Sequence, residues 1–359
     1  MVIVVGAGPA GLVVAYELQR RGLPYHVLER ATIGYAWQQH YDRLHLHTLK
    51  QLSALPGLPM PQSYPAFPSA AQFQRYLQEY ARHFQLTIRC GVEVRAARWQ
   101  ADGWQIETSA GDLTASVLVV ATGIWSTPYQ PLLAGRAQFG GTIMHSSQYR
   151  NPAPFAGQRV LVVGVGNSGS EIAVDLAEHG VTTGIAIRGG ATFVPYPRAA
   201  TPLRLWAGLL RYTPRPAGEW LLRRFRRDFS AIGIPAPTKP LLDAYPVVGY
   251  RLPEAIAAGR IRRYAGLAGL IQGGAQFDDG QSAPFDSVIL ATGYRPTVQL
   301  VADAVALDPA GRPRVDQHWR SLRQPQLVCV GFHYPATEGW LQAIGRVARE
   351  AVTGIASGL

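Results

Sequence analysis

Sulfur is scarce in this chain of 359 residues: there are three methionines and two cysteines, Cys90 and Cys329, far apart and each in a strand-like run. No C-x-x-C is present, which argues against a disulfide framework, a zinc site and a redox-active dithiol. No uninterrupted apolar run is long enough to span a bilayer. The first apolar run lacks a positively charged lead and a clear cleavage site. It reads as a core strand starting at residue 2 rather than a signal peptide, and a cytoplasmic location is expected. His45 and His47 are close together, but no third ligand and no carboxylate motif lies near them in sequence, so no metal is expected. The net charge of +11 is supplied mostly by arginine. Those arginines are dispersed and no nucleic-acid motif accompanies them. They suit phosphorylated cofactors, anionic substrates or acidic lipid heads instead.

Glycine and proline, by contrast, are plentiful, and glycine is placed with purpose. Val2-Ile3-Val4-Val5 is a short apolar run of the kind found in buried parallel strands. Gly6-Ala7-Gly8-Pro9-Ala10-Gly11 follows at once and fits G-x-G-x-x-G. Gly6 allows a tight turn, Gly8 lets a pyrophosphate approach the backbone, and Gly11 lets a helix pack on the strand. Pro9 suits the first helical turn, where its missing N–H costs nothing. Arg20 and Arg21 oppose the negative end of the helix dipole, and Gly22 ends the helix. A second strand, Tyr25 to Leu28, ends in Glu29, roughly twenty residues after the glycines, where an acid grips a ribose hydroxyl.

The pattern recurs. Val160 to Val163 leads into Gly164-Val165-Gly166-Asn167-Ser168-Gly169-Ser170-Glu171, then a helix that stops near Gly180, then Gly184 to Ile187 ending in Arg188. Each half also has an apolar strand running into Ala-Thr-Gly: Ala121-Thr122-Gly123 and Ala291-Thr292-Gly293, the latter followed by Tyr294. An internal repeat of this kind predicts an α/β chain with two Rossmann-like dinucleotide-binding domains, one inserted into the other. The boundaries read as 1–150 with 285–359 for the first domain and 151–284 for the second. The second domain includes an irregular, proline-rich segment at 192–250, read as lid-like. Ser69 is expected to cap a helix bearing Phe73, Tyr76, Leu77 and Tyr80 inward. Residues 124–155 read as a connector, and Trp340 to Gly354 as the last helix.

The two second strands end in opposite charge. Glu29 accepts hydrogen bonds from a free ribose and repels a 2′-phosphate, whereas Arg188 clamps one. FAD at the first site and NADPH at the second satisfy both. Between the repeats, Phe139, Gly141, His145 and Tyr149 fit F-x-G-x-x-x-H-x-x-x-Y.

This fingerprint, set between two glycine loops, resembles that of the flavin-containing monooxygenases, and the resemblance covers nearly the whole chain. Tyr41 to His47, the proline-rich run to Pro68 and the second glycine loop are most similar to YUCCA-like members and their bacterial relatives. Many animal-type members have an asparagine beside the flavin where this chain has His47. The resemblance implies an NADPH- and O₂-dependent FAD monooxygenase working through a flavin C4a-(hydro)peroxide on an aryl 2-oxo acid, an amine or a sulfide. His47 is the catalytic candidate, and no other side-chain nucleophile or acid–base pair is expected. The residues expected to bind cofactor are Gly6, Gly8, Pro9, Ala10, Gly11, Glu29, Arg30, Trp37, Gln38, Val94, Ala121, Thr122, Gly123, Gly164, Gly166, Asn167, Ser168, Gly169, Glu171, Arg188, Ala291, Thr292, Gly293 and Tyr294. Rival readings are an NADPH-flavin reductase serving a partner or quinone, and a non-catalytic dinucleotide-binding sensor. The Leu203–Phe229 stretch reads as a helical lid with solvated arginines and a packed apolar face, with a membrane-surface patch or the mouth of a tunnel for an acidic substrate as the alternatives. Oligomeric state is left open. Replacing Arg188 with Ala should raise the KM for NADPH far more than that for NADH; equal effects in steady-state assays would remove the 2′-phosphate assignment.

Overall fold

The computed structural model describes residues 1–197, 213–238, 240–243, 245–332 and 340–358. They form two units. One comprises Met1–Gln39, Thr48–Thr127 and Tyr294–Leu359; the other comprises His40–His47 and Pro128–Gly293.

The first unit is built on a five-stranded parallel sheet in the order Leu327–Cys329, Val117–Val120, Val2–Val5, Tyr25–Glu29, Ile88–Cys90. The central strands are short β-branched runs, and Val2–Val5 and Val117–Val120 are buried throughout. Both faces of a parallel sheet are covered, so such strands carry no polar alternation. Val2 pairs with Tyr25 on one side and Val117 on the other. Ile3, Val5, Leu118 and Val120 share one face and pack on Ala97, Trp104 and Ile106 of an antiparallel meander, Val94–Gln100, Gly103–Thr108 and Leu113–Ala115. The helix Pro9–Arg20 follows the first strand directly. Helix Ala70–His83 starts at a capping box: Ser69 Oγ accepts from the Gln72 N–H at 3.2 Å, and the Gln72 carboxamide oxygen accepts from the Ser69 N–H at 2.9 Å. Its buried face is Phe73, Tyr76, Leu77 and Tyr80.

The second unit repeats the plan. Its parallel sheet runs Thr142–His145, Ser287–Leu290, Arg159–Val163, Thr182–Ala186, Ile261–Tyr264. The helix Asn167–Glu178 follows the central strand. A meander of Leu267–Ile271, Gly274–Phe277 and Ser282–Pro284 sits where the first unit has its own. Leu161, Val288 and Leu290 pack with Tyr264, Phe277 and Phe285 in its core.

The units divide elsewhere than at residues 150 and 285, for three reasons. Thr142–His145 is not connector but an edge strand, paired in parallel with Ser287–Leu290. Ser287–Leu290 in turn pairs with Arg159–Val163, so it belongs to the second sheet. His40–His47, early in the chain, is also part of the second unit. The edge strand Leu327–Cys329 closes the first sheet against Val117–Val120. Cys90 and Cys329 thus occupy opposite edge strands of one sheet, four spacings of about 4.8 Å apart. They cannot form a dithiol, and burial pushes the Cys329 thiol up to about 12.

The part of Leu203–Phe229 up to Tyr212, with Trp206, lies outside the described residues. Beyond it, Arg215–Phe225 is a helix whose Trp220 is exposed. Among the described residues, no helix is long and apolar enough to cross a membrane. Replacing Ser69 with Ala removes one half of a reciprocal cap and should cost about 1 kcal/mol, read as a lower urea midpoint at unchanged slope.

Candidate nucleotide sites

The two glycine loops coincide in detail. Gly6 N–H donates to Leu28 O at 2.8 Å and Gly164 N–H to Ala186 O at 3.0 Å. Ala121 N–H donates to Val5 O, and Ala291 N–H to Val163 O, each at 2.9 Å. These bonds bring the end of each Ala-Thr-Gly strand hard against the loop. A Cβ on Gly6 would lie 2.8 Å from Ala121 O, and one on Gly164 would lie 2.5 Å from Ala291 O. Both glycines also have positive φ, +105° and +110°. A Cβ on Gly11 would meet Gly6 O, and one on Gly169 would meet Gly164 O. The outer glycines of each motif are therefore demanded by the protein's own backbone.

The middle glycines are not. Gly8 and Gly166 have extended backbones (φ −80°, ψ −176° and φ −68°, ψ −179°), which any residue adopts. No protein atom lies within 4 Å of where their Cβ atoms would be. Each stands at the N-cap of a helix without a side-chain cap, so its helix presents unsatisfied N–H groups beside open space. Glycine without strain and without crowding, at the positive end of a helix, fits the approach of a pyrophosphate.

The charged strand ends differ as their sequence implies. Glu29 Oε2 accepts from Ala7 N–H at 2.8 Å and Oε1 from Ala31 N–H at 3.0 Å. A carboxylate has about four acceptor sites, so two remain for a ribose diol. Arg188 is exposed and makes no hydrogen bond or ion pair among the described residues. Its Cβ lies close to Gly266.

Other expected site residues also make contacts within the protein. Asn167 clamps a strand, donating to Pro246 O at 3.0 Å and accepting from Val248 N–H at 3.0 Å. Thr122 Oγ1 donates to Thr297 O at 2.7 Å, and Thr292 Oγ1 to Tyr129 O. Gly123 and Gly293, at φ +76° and +87°, have open space around their Cβ positions. Pro9 and Ala10 open the first helix, and Ala10 is buried. Trp37 and Gln38 end the short helix Tyr35–Gln38, with the Trp37 ring edge-on to Phe73 at 4.5 Å. Arg30 is exposed. Val94 begins the meander, while Val92 N–H is the group that bonds Glu29 O, at 3.0 Å. Tyr294 begins the return of the chain to the first unit.

The fingerprint residues are structural members of the second unit. Phe139 is buried with its ring where a side chain on Gly141 would go. His145 is fully buried: its Nε2–H donates to Gly293 O at 3.0 Å, and its Nδ1 accepts from Ser147 N–H at 3.1 Å. Burial holds this imidazole below its ordinary pKa, and the two bonds fix one neutral tautomer. Tyr149 OH donates to Asp175 Oδ2 at 2.7 Å.

His47 lies in the second unit, with Nε2 2.6 Å from Glu171 Oε1. Glu171, Asp175 and Glu178, spaced i, i+4 and i+7 on the helix, hold the segment His40–His47 as a strap. Tyr41 OH donates to Glu171 Oε2 at 2.6 Å, and Arg43 reaches both Asp175 and Glu178 at 3.1 Å. His40 is held down to about 4, first by burial and then by the charge of Arg150. Sequence reading singled out Tyr41 and His47 but not this network. The helical spacing of the three carboxylates was the available signal.

Comparison with known proteins agrees with this geometry. The model of the pyridine nucleotide-disulphide oxidoreductase family matches residues 3–199. The indole-3-pyruvate monooxygenase YUCCA1 of rice (Oryza sativa subsp. japonica) is 35% identical over 318 residues, covering 82% of this chain and 77% of its own. The rice YUCCA4 enzyme of the same name is 33% identical over 384 residues, covering 98% and 87%. The chain belongs to the flavin monooxygenases. In solved structures, the flavin-containing monooxygenase of Stenotrophomonas maltophilia superposes with a TM-score of 0.79 at 28% identity, covering 99% of this chain and 98% of that one. The bacillithiol disulfide reductase of Bacillus cereus shares the fold, with a TM-score of 0.75 at 19% identity. As a flavin monooxygenase the chain is an oxidoreductase of α/β architecture.

The middle and outer glycines of each loop should separate cleanly on mutation. Gly8→Ala or Gly166→Ala should cost less than about 1 kcal/mol of stability yet weaken dinucleotide binding. Gly11→Ala should cost about 3 kcal/mol. Urea denaturation of the cofactor-free chain, beside titration with FAD or NADP⁺, reads both.

Proposed function

We propose that the chain is an NADPH- and O₂-dependent FAD monooxygenase, with FAD on the first glycine loop and NADPH on the second, acting on an aryl 2-oxo acid. The observation that carries this reading is the pair of middle glycines, Gly8 and Gly166, each unstrained and facing open space at a helix N-terminus. The opposite charges at the two strand ends supply the order. Glu29 keeps acceptor capacity for ribose hydroxyls, and Arg188 is exposed for a 2′-phosphate.

When bound, the flavin supplies the redox chemistry, taking a hydride from NADPH and activating O₂ for transfer of one oxygen atom. The chain's part is to bind, orient and exclude water. The loop N–H groups and helix dipoles hold the pyrophosphates without reorganisation. Reductase chemistry through a cysteine pair finds no support, because Cys90 and Cys329 sit on opposite edges of their sheet. The 2-oxo acid is favoured by the names of the rice relatives, indole-3-pyruvate monooxygenases. The net charge of +11 also favours an anionic substrate.

The balanced reaction is 2-oxo acid plus O₂, NADPH and H⁺ giving the acid one carbon shorter, CO₂, NADP⁺ and water. One atom of O₂ enters the new carboxylate as the C1–C2 bond breaks, and the other leaves as water. Under oxygen-18 gas, indole-3-pyruvate and NADPH should yield indole-3-acetate carrying one heavy oxygen, with NADPH consumed one to one. NADPH oxidation that releases only hydrogen peroxide, with no labelled product from 2-oxo acid, amine or sulfide, would overturn the oxygenase reading.

A further inference from the structure

Both oxygens of Glu171 are engaged by the strap. Its Oε2 accepts from Tyr41 OH and its Oε1 lies against His47 Nε2, both at 2.6 Å. An ionised carboxylate only accepts, so the hydrogen in the second contact belongs to His47 Nε2. Tyr41 is itself fixed. Its ring is buried. Burial, and after it the charge of Glu171, raises the phenol well above its ordinary pKa, so Tyr41 remains a donor. A hydrogen-bonded line therefore runs from Tyr41 through Glu171 to His47. It begins on a buried phenol and ends on a ring about a fifth exposed, at 22%.

We infer that Glu171 is a positioning residue that sets the hydrogen-bonding direction of His47: it keeps the hydrogen on Nε2 and leaves Nδ1 as the atom offered to a ligand. The inference rests on the proposed oxygenase reading only for its consequence in turnover, where His47 is the candidate to touch substrate or cofactor. Other titratable and charged groups whose fields meet this cluster are His40 and Arg43 on the strap, Arg150, Tyr196 and Arg251. A carboxylate holding a histidine by one nitrogen so that the other faces the chemistry is a general arrangement.

The test is Glu171→Gln. A carboxamide can satisfy Tyr41 with its oxygen but then turns its NH₂ toward His47, so the ring must move its hydrogen to Nδ1 and accept at Nε2. Nitrogen-15 histidine-labelled, cofactor-loaded protein at about pH 8 reports the tautomer directly, with the His47 signals identified by their loss in His47→Gln. The expected result is Nε2–H in the unaltered protein and Nδ1–H in Glu171→Gln. In turnover, Glu171→Gln should lower kcat at least about ten-fold with little change in the KM for NADPH. Glu171→Asp should recover part of the loss, and Glu171→Gln with His47→Gln together should cost no more than the worse single change. A bare Nε2 in the unaltered protein, an unmoved tautomer in Glu171→Gln, or full kcat despite a switched tautomer would each overturn the assignment. If no oxygenated product forms with any variant, the oxygenase reading fails while the tautomer result still stands or falls separately.

Discussion

Both halves of this molecule depend on one close approach: a loop glycine lying against the carbonyl that ends a neighbouring parallel strand. Gly6 meets Ala121 O, and Gly164 meets Ala291 O. That contact fixes where the following helix begins, because Gly11 and Gly169 must then pass their own loop carbonyls. The first helical N–H groups are aimed by it, and an anion site results from backbone alone. Ala-Thr-Gly is thus the second wall of each loop rather than a separate motif. Its alanines are small because the first glycine and the helix crowd them together, and its glycines turn the chain away at positive φ.

A shared backbone plan cannot by itself tell two nucleotides apart, so the proposed function leaves discrimination to side chains at the strand ends. Glu29 is partly engaged by two backbone N–H groups and is therefore already aimed. Arg188 is exposed and unpaired among the described residues. On the proposed assignment, one site is preorganised toward hydroxyls and the other is left adaptable toward phosphate, which is where a planar guanidinium is effective. The fingerprint between the loops serves the second unit from within. His145 ties its edge strand to the turn at Gly293, and Tyr149 braces Asp175.

The glycine loops, their helices and the paired Ala-Thr-Gly strands were legible in the sequence because every contact they need is local or repeats at a fixed offset. Thr142–His145 was not. It is a four-residue edge strand in a stretch dense in glycine, and its partner Ser287–Leu290 lies far along the chain. Nor was the strap His40–His47. Its partners on the second helix are 124 to 135 residues distant, and beyond the helical spacing of the three carboxylates nothing in the sequence pairs them with the strap. His47 stood out as a residue type and Glu171 as an expected cofactor ligand, but nothing in the sequence paired the two. Only the three-dimensional contact shows both Glu171 oxygens engaged by the strap.

The strap also governs how this chain can be recombined with its relatives. The second unit is assembled from two separate pieces of polypeptide, one of them eight residues long and embedded in the first unit's portion. Exchanging only the long piece would import a helix whose carboxylates face a foreign tyrosine, arginine and histidine. A working hybrid must transplant Tyr41, Arg43 and His47 along with the helix they grip, so natural variation in these two distant stretches should travel together.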